Sequence, residues 1–281
     1  MTIRGHGDGT VDTVLSVDAV ASEAAALIEN KPGVEDLDKL VDGEPLVRLE
    51  AVEAGYGRMQ ILHGVDLRVG AGQALCLIGP NGAGKSTVLH TIYGFTKVYG
   101  GRVFAGDTDI TALSPTQKLK RVGIAYVLQD NSVFPDMTVE ENLLMGGYLL
   151  PSRDEARAAT ERVLESYPRL KERRRERAGV LSGGERRILE ISRALIMEPG
   201  VLLIDEPSIG LEPRYIDMVF ELLEELKTDA GKTIIMVEQN AKKGLQFADI
   251  GYVLVSGELA MAGTGESVLN DPSVGRLFLG G

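Results

Sequence analysis

The hydrophobic pattern changes near residue 46, where short apolar runs begin to alternate with segments whose apolar residues recur at helical spacing. Four continuous runs are of the kind expected for strands buried on both faces of a parallel sheet. They are residues 74–78, 122–128, 201–204 and 233–237. Residues 215–226, between the last two runs, have the spacing of an amphipathic helix, and Gly231 follows where it would end. This alternation predicts an α/β fold.

Two pairs of shorter segments predict antiparallel strands at either end of this α/β region. Residues 47–52 and 64–69 have the pattern of paired strands, from which we expect an antiparallel β subdomain. Residues 249–255 and 258–262, separated by Ser256-Gly257, have the pattern of a terminal hairpin.

Residues 135–180 have a helical pattern. Thr138 and Ser152 each precede a glutamate by three residues, which matches the capping box of a helix start. Residues 169–177 contain six basic residues and two glutamates without interleaved aromatic residues. That composition favours a solvated helix end over a nucleic-acid patch. We expect a helical subdomain at about residues 135–180.

The first 45 residues differ from the rest in charge. They hold ten Asp or Glu and three Lys or Arg, so most of the net charge of −11 lies there. Their two helical patterns, at residues 18–28 and 34–41, are too short to be stable in isolation. We predict an acidic N-terminal extension, residues 1–45, before the α/β domain at residues 46–281. The extension is either a weakly ordered tail or a docked hairpin that regulates the domain or binds a partner.

The composition of the chain indicates its redox compartment and the classes of partner to expect. The single cysteine, Cys76, excludes an internal disulfide and fits a reducing compartment. The sequence shows neither a secretory signal nor an apolar stretch near the ~20 residues that span a bilayer. We therefore expect membrane contact only through a partner. The acidic balance argues against nucleic acid as a partner.

The strongest chemical motif is a glycine-rich loop between the apolar run 74–78 and a predicted helix. It comprises Gly79, Pro80, Asn81, Gly82, Ala83, Gly84, Lys85, Ser86 and Thr87. Glycines let backbone amides close around phosphate oxygens, and the helix N-terminus adds partial positive charge. We expect Lys85 to bridge the β- and γ-phosphates of ATP and Ser86 to ligate Mg²⁺.

Asp205 and Glu206 follow the apolar run 201–204, at the carboxyl end of a predicted strand, where open α/β sheets bind ligands. Adjacent carboxylates repel each other, so a purely structural role is a poor explanation for them. We assign Asp205 to Mg²⁺. Glu206 is assigned as the general base, because its side chain reaches past the metal toward the γ-phosphate.

Residues 181–185, Leu-Ser-Gly-Gly-Glu, predict a second anion-binding helix start. Ser182 and Glu185 form a capping box, and Gly183 and Gly184 remove side chains where another group approaches closely. Capping alone would explain Ser182 but not the double glycine. Because this segment lies 97 residues after Lys85, we do not expect it at the same phosphate of the same chain. The simplest arrangement is a head-to-tail pair, in which each chain caps the γ-phosphate of the other.

These motifs resemble those of the ABC-type ATPases over residues 46–281. The resemblance implies a P-loop NTPase ABC-type core with an antiparallel β subdomain and a helical subdomain. It also implies that Tyr56, 23 residues before Gly79, stacks on adenine. Gln129 would contact both the metal and a transmembrane partner. Residues 208–212 resemble the loop that crosses the dimer seam.

More closely, the chain resembles the second ATP-binding subunit of branched-chain amino acid importers. The resembling segments are residues 55–58, 62–65, 133–142, 237–240 and 277–281. This implies a second ATP-binding subunit, two transmembrane permease subunits and, indirectly, a solute-binding protein. The implied location is peripheral, at the cytoplasmic face of the inner (plasma) membrane.

Gln239 occupies the position at which the wider family has a switch histidine, although the importer subgroup also shows Val-Glu-Gln-Asn. Its amide can donate a hydrogen bond to the γ-phosphate but carries no titratable proton. This leaves Glu206 as the base, with Gln239 and Gln129 as further catalytic residues. If the partner is a related but distinct chain, the two sites of the dimer would differ.

Other functions stay open at this point. A similar ATPase would drive import of urea or short-chain amides, because it never touches the solute. Lipopolysaccharide-export ATPases keep a histidine at the switch position. Soluble ABC proteins of DNA repair carry long insertions, and ribosomal ones carry two ATPase halves in one chain. Lys85 and Glu206 argue against a degenerate regulator. The sequence determines neither the solute nor whether the pair is a homodimer or a heterodimer.

Overall fold

The computed structural model describes residues 31–129 and 132–278. The helix predicted at residues 18–28 lies outside the described residues. The strands are β1 (Pro45–Tyr56), β2 (Met59–Gly70), β3 (Ala74–Ile78), β4 (Lys97–Ala105), β5 (Thr108–Asp109), β6 (Ile124–Val127), β7 (Val201–Asp205), β8 (Thr233–Val237), β9 (Ile250–Val255) and β10 (Glu258–Thr264). The α-helices are α1 (Val34–Asp38), α2 (Lys85–Tyr93), α3 (Pro115–Gln117), α4 (Val139–Gly146), α5 (Arg153–Ser166), α6 (Pro168–Glu172), α7 (Gly183–Leu195), α8 (Pro213–Thr228), α9 (Ala241–Phe247), α10 (Gly265–Leu269) and α11 (Pro272–Phe278).

The larger sheet has the order β10-β9-β3-β8-β7-β6 within the described residues. Its strands from β9 to β6 are parallel, and β10 closes the edge as an antiparallel hairpin with β9. β3, β7 and β8 are buried along their whole length because helices or the second sheet cover both faces. The continuous apolar runs predicted these strands correctly.

The prediction for β6 was too long. Its pattern covered residues 122–128, whereas the strand is Ile124–Val127. Val122 instead ends a short π-helical segment, Lys118–Val122, which Gly123 closes in a left-handed conformation. Leu128 is exposed. A short apolar run cannot by itself distinguish a strand from the helical turn that leads into it.

The smaller sheet is antiparallel, with the order β2-β1-β4-β5 in the described residues. Alternate residues of β3 face two different cores. Leu75 and Leu77 pack with α2 and the smaller sheet, whereas Cys76 and Ile78 pack with helices on the other face. The glycine-rich loop that follows β3 therefore begins between two packed layers.

The predicted helical subdomain contains α4, α5 and α6. The predicted Thr138 capping box is present, and the Ser152 side chain accepts a hydrogen bond from the Glu155 amide. In the basic run, Arg174 pairs with Glu140 at 2.7 Å and with Glu161 at 2.6 Å. These pairs agree with a solvated helix end. Among the described residues, no helix combines the length and the apolar character needed to cross a bilayer.

Part of the predicted N-terminal extension lies against the domain. Leu37 in α1 is fully buried among residues of the smaller sheet, and Asp38 pairs with Arg68 of β2 at 3.3 Å. Gln73 donates to the Leu40 carbonyl at 3.1 Å and accepts from the Asp42 amide at 3.3 Å. Burial of Leu37 explains why this short helix forms here. The domain boundary at residue 45 stays a prediction.

Candidate functional site

The candidate site lies where neighbouring parallel strands end. Register pairs Val237 of β8 with Leu77 of β3 on one side and with Asp205 of β7 on the other. The segments that follow these strands therefore lie side by side at one edge of the sheet. They carry the glycine-rich loop, Glu206 and Gln239.

The glycine-rich loop has a backbone that side chains would prevent. Gly79, Gly82 and Gly84 have φ values of 147°, 81° and 95°. A Cβ at Gly79 would overlap the Leu254 carbonyl oxygen. Gly84 is the N-cap of α2 and supplies no side-chain cap to the first amides of the helix. Such a cradle of backbone amides fits the phosphates of a nucleotide.

Lys85 is held inside this loop. Its ammonium donates to the carbonyl oxygens of Gly79 at 2.8 Å and Pro80 at 3.0 Å. Burial lowers the pKa of Lys85, and the carboxylates of Glu206 and Asp205 oppose that shift. The loop therefore contains a buried lysine side chain, and an ammonium group is a suitable donor to phosphate oxygens.

Ser86 and Asp205 meet in the structure. The Ser86 hydroxyl donates to Asp205 Oδ1 at 3.0 Å, and the Tyr126 hydroxyl donates to Asp205 Oδ2 at 2.9 Å. A hydroxyl and a carboxylate are the oxygen donors that Mg²⁺ prefers, so these residues fit the metal. Tyr126 was missed in the sequence because its aromatic ring also fits a buried strand end.

Glu206 has an unusual backbone for a glutamate. Its φ is 47°, in the left-handed region that is costly for residues with a side chain. Its amide donates to the Val237 carbonyl at 2.9 Å, and Gln129 Nε2 donates to Glu206 Oε2 at 2.8 Å. Gln129 and Glu206 are thus in contact, although 77 residues separate them in sequence. Strain of this kind is concentrated at functional sites.

The second helix start, at Ser182, is capped by side chains of the same chain. The Glu185 amide donates to the Ser182 hydroxyl at 3.3 Å, and the Ser182 amide donates to the Glu185 carboxylate at 2.8 Å. Arg173 holds both oxygens of that carboxylate at 2.8 and 2.7 Å.

The two glycines of this helix start have different surroundings. A Cβ at Gly184 would lie 2.7 Å from both Tyr215 and Met218 of α8, so packing within the chain explains this glycine. Among the described residues, a Cβ at Gly183 would meet only the end of the Leu211 side chain, at 3.1 Å. Of the pair, Gly183 is the one that leaves room for an outside group.

Tyr56 and Gln239 lie at the rim of the site. Tyr56, at the end of β1, is 42% exposed, and its hydroxyl is hydrogen-bonded to His90 Nδ1 of α2. Gln239 follows β8 with an exposed side chain. Both positions leave the side chain accessible to a ligand, and their roles stay predictions.

The buried carboxylate of Glu238 was not singled out from the sequence. It accepts from the Ser208 hydroxyl at 2.7 Å and from the Asn240 amide at 2.7 Å. Burial raises the pKa of Glu238. This side chain ties residues 208–212 to the segment that carries Gln239. In the sequence, Glu238 is marked only by its position in Val-Glu-Gln-Asn, and nothing there distinguishes it from an exposed polar residue of a loop.

Comparison with known proteins identifies the family of this chain. Residues 62–209 match the family model described as ABC transporter. The chain is 42% identical over 236 residues to the high-affinity branched-chain amino acid transport ATP-binding protein BraG of Pseudomonas aeruginosa, covering 84% of this chain and 100% of BraG. It is 37% identical over 235 residues to the probable branched-chain amino acid transport ATP-binding protein LivF of Archaeoglobus fulgidus, covering 84% and 99%.

A solved structure shows the same fold. It is the ADP conformation of an ATP-binding cassette of an ABC transporter, with a TM-score of 0.75 and 32% sequence identity. The match covers 84% of this chain and 99% of that one. The expected ABC-type core with its antiparallel sheet and helical part is confirmed.

Proposed function

The chain belongs to the ABC transporter family, and we propose that it is the ATP-hydrolysing subunit of an importer for branched-chain amino acids or related solutes. One observation carries the catalytic part of the proposal. Lys85 and Ser86 follow β3, Asp205 and Glu206 lie at the end of β7 on the other side of β8, and the Ser86 hydroxyl donates to Asp205 at 3.0 Å. The importer assignment is supported by the names of BraG and LivF.

Each residue has a separate task. Lys85 and the amides of the glycine-rich loop bind the β- and γ-phosphates, and Tyr56 stacks on adenine. Ser86, Asp205 and Gln129 would hold Mg²⁺, which would offset the negative charge of the phosphates. Glu206 takes a proton from the attacking water, and Gln239 donates a hydrogen bond to the γ-phosphate. Ser182 and Gly183 face the ATP bound by the other chain of a head-to-tail pair, whereas Gly184 and Glu185 support this helix start from within their own chain.

A groove beside Leu128 and Gln129 is a candidate contact for a transmembrane partner. Its volume is about 150 Å³, and its lining is mixed, with Tyr93, Leu119, Tyr126, Leu128 and Met197 beside the polar residues Ser132, Glu190 and Arg193. Leu128 and the nearby Phe95 are 43% and 48% exposed. We infer that a cytoplasmic helix of each permease lies here. The assembly would then be peripheral, at the cytoplasmic face of the membrane, with two permeases and a second ATP-binding subunit.

Glu206→Gln tests the catalytic assignment in the assembled transporter. Turnover should fall by at least ~10²-fold, the scale of lost general-base assistance, while ATP still binds. The ATP-bound dimer should accumulate because hydrolysis normally opens it. Glu165→Gln, at an exposed position of α5, is the matched control and should keep normal turnover. Near-normal turnover of Glu206→Gln would remove this residue from the role.

The solute requires a separate measurement. Proteoliposomes with the native permeases and solute-binding protein should accumulate labelled leucine, isoleucine or valine in an ATP-dependent way. Uptake of urea or short-chain amides instead would reject the amino acid assignment and leave the ATPase assignment intact. ATP hydrolysis without uptake of any of these solutes would reject both importer assignments.

A further inference from the structure

Arg187 is a charged residue buried within α7. Its side chain is 5% exposed, and its Nη1 pairs with Glu190 Oε2 at 2.8 Å. The Nε atom has no hydrogen-bond partner among the described residues. A buried ion pair with an unsatisfied donor is no more stabilising than apolar residues of similar volume. Stability alone is therefore a weak explanation for this arginine.

The contacts of Arg187 point to the catalytic residues. Its Nη2 donates to the main-chain carbonyl of Asp205 at 2.7 Å. That carbonyl and the amide of Glu206 belong to one peptide group, and the amide donates to Val237 at 2.9 Å. The peptide is therefore held from both sides. Since Glu206 has a φ of 47°, this support keeps its backbone in a conformation that it would otherwise leave.

Arg187 also contacts the main chain at Gln129, the residue whose side chain donates to Glu206. Nη1 donates to the carbonyl of Leu128 at 2.6 Å and lies 3.4 Å from the carbonyl of Gln129. The Gln129 side chain in turn donates to Glu206. One guanidinium thus holds the main chain on both sides of the hydrogen bond between Gln129 and Glu206. Its planar fork reaches all these acceptors, which the single ammonium of a lysine does not.

Glu190 keeps Arg187 in this orientation. It is 8% exposed and also accepts from the Ser132 amide at 3.2 Å. Glu190 lines the groove assigned above to the permease and also a cavity of about 560 Å³ that includes Gln129 and Gly183. The ion pair therefore lies between the proposed permease contact and the hydrolytic residues.

We propose that Arg187 is a positioning residue for ATP hydrolysis, which orients Glu206 and Gln129 through their main chain. The proposal rests on the proposed function of Glu206 as the general base. Arg187 touches neither ATP nor water in this scheme. Its loss should therefore lower kcat and leave ATP binding unchanged.

The experiment compares three variants in the assembled transporter. The double variant Arg187→Met with Glu190→Gln removes both buried charges and keeps an acceptor for the Ser132 amide. Its kcat should fall roughly 10- to 100-fold, as expected when a catalytic group is misplaced by about 1 Å, with KM for ATP within about threefold. Arg187→Lys keeps one cation and should recover part of that loss. Arg162→Met, at an exposed ion pair on α5, is the control and should match the wild type.

A double-mutant comparison separates positioning from a structural defect. In the Glu206→Gln background, Arg187→Lys should add no further loss of kcat, because the group it positions is already gone. An additional loss of the same size as in the wild-type background would overturn the proposal. So would a kcat within about twofold of the wild type in the double variant. If that variant does not fold, Arg187→Lys alone tests the proposal. A lowered kcat at unchanged KM would support it, and an unchanged kcat would reject it.

The outcomes distinguish this inference from the function on which it rests. Normal turnover of Glu206→Gln rejects the base assignment, whatever Arg187 does. Loss of turnover in Glu206→Gln together with normal kcat in the Arg187 variants rejects only the positioning role.

Discussion

The helices α2 and α7 both begin beside glycines, yet their first turns are built in opposite ways. α2 starts at a left-handed Gly84 that supplies no side-chain cap, and its first residue is the buried cation Lys85. α7 starts at Ser182 with a complete capping box and an acidic residue, Glu185, in its first turn. A cation at the positive end of a helix is unfavourable by itself, whereas a carboxylate there is stabilising. The start of α2 therefore needs an anion, and the start of α7 already has one.

We propose that this difference separates a site for the chain's own nucleotide, at α2, from a surface that faces the nucleotide of a partner chain, at α7. The open amides and Lys85 of α2 fit phosphates directly. At α7, the Ser182 hydroxyl accepts from the Glu185 amide, but its proton stays available to donate to an incoming oxygen. Gly183 leaves room beside it. We infer that α7 contributes a hydrogen bond to a phosphate whose main binding groups lie in the partner.

Lys85→Ala gives the largest expected effect. Removing the buried ammonium should weaken ATP binding by about 2–5 kcal/mol, which is roughly 30-fold to several-thousand-fold. Calorimetry on the purified subunit measures this directly. Lys39→Ala, at an exposed ion pair, is the control and should bind ATP normally. Unchanged affinity of Lys85→Ala would mean that the start of α2 has another purpose.

Ser182→Ala should separate binding from turnover. ATP affinity of the isolated subunit should stay normal, because the start of α2 is intact. Hydrolysis by the assembled pair should fall about 10- to 100-fold, the value of a hydrogen bond to a charged group. Loss of the cap should also cost about 1 kcal/mol of unfolding free energy. Weaker ATP binding by the isolated variant would show that α7 contacts the ATP of its own chain. The proposed difference between the starts of α2 and α7 would then be wrong.

The two glycines of α7 should respond differently to alanine. Gly184→Ala should lower the unfolding free energy by about 1–3 kcal/mol, since its methyl group would lie 2.8 Å from Tyr215 Cβ. Gly183→Ala should leave the fold stable and lower only the hydrolysis by the pair. Denaturant unfolding and ATPase assays check both. Equal loss of stability in the two variants would contradict the outward role of Gly183.

Gln239→Ala should have the smallest effect. A neutral hydrogen bond is worth about 0.5–1.5 kcal/mol, so turnover should fall roughly threefold to tenfold. Gln239→His should be tolerated and add a titration near neutral pH, because imidazole then faces the phosphate. The ATPase rate of each variant in the assembled complex tests this role of Gln239. A loss as large as that of Glu206→Gln would make Gln239 a full catalytic partner.

Some contacts of the site could not be predicted from the sequence. Arg187 lies next to Arg186 in a charged stretch that looks solvated, yet it is buried against the main chain of residues distant in sequence. Glu238 and Tyr126 likewise gain their roles from Ser208 and Asp205. In each case the partner is non-local, so neither composition nor spacing signals it.

The sequence by itself determined the features that depend on neighbouring residues. Continuous apolar runs predicted β3 and β8 with their observed bounds, and the Ser182 capping box is present as predicted. The glycine-rich loop and the adjacent carboxylates are likewise local patterns. Only the tertiary structure decided the left-handed Glu206, its contact with Gln129, and the burial of Leu37 against the smaller sheet. The reason is physical: local periodicity records which face of an element is apolar, whereas strain and burial of charge depend on what the rest of the chain brings into contact.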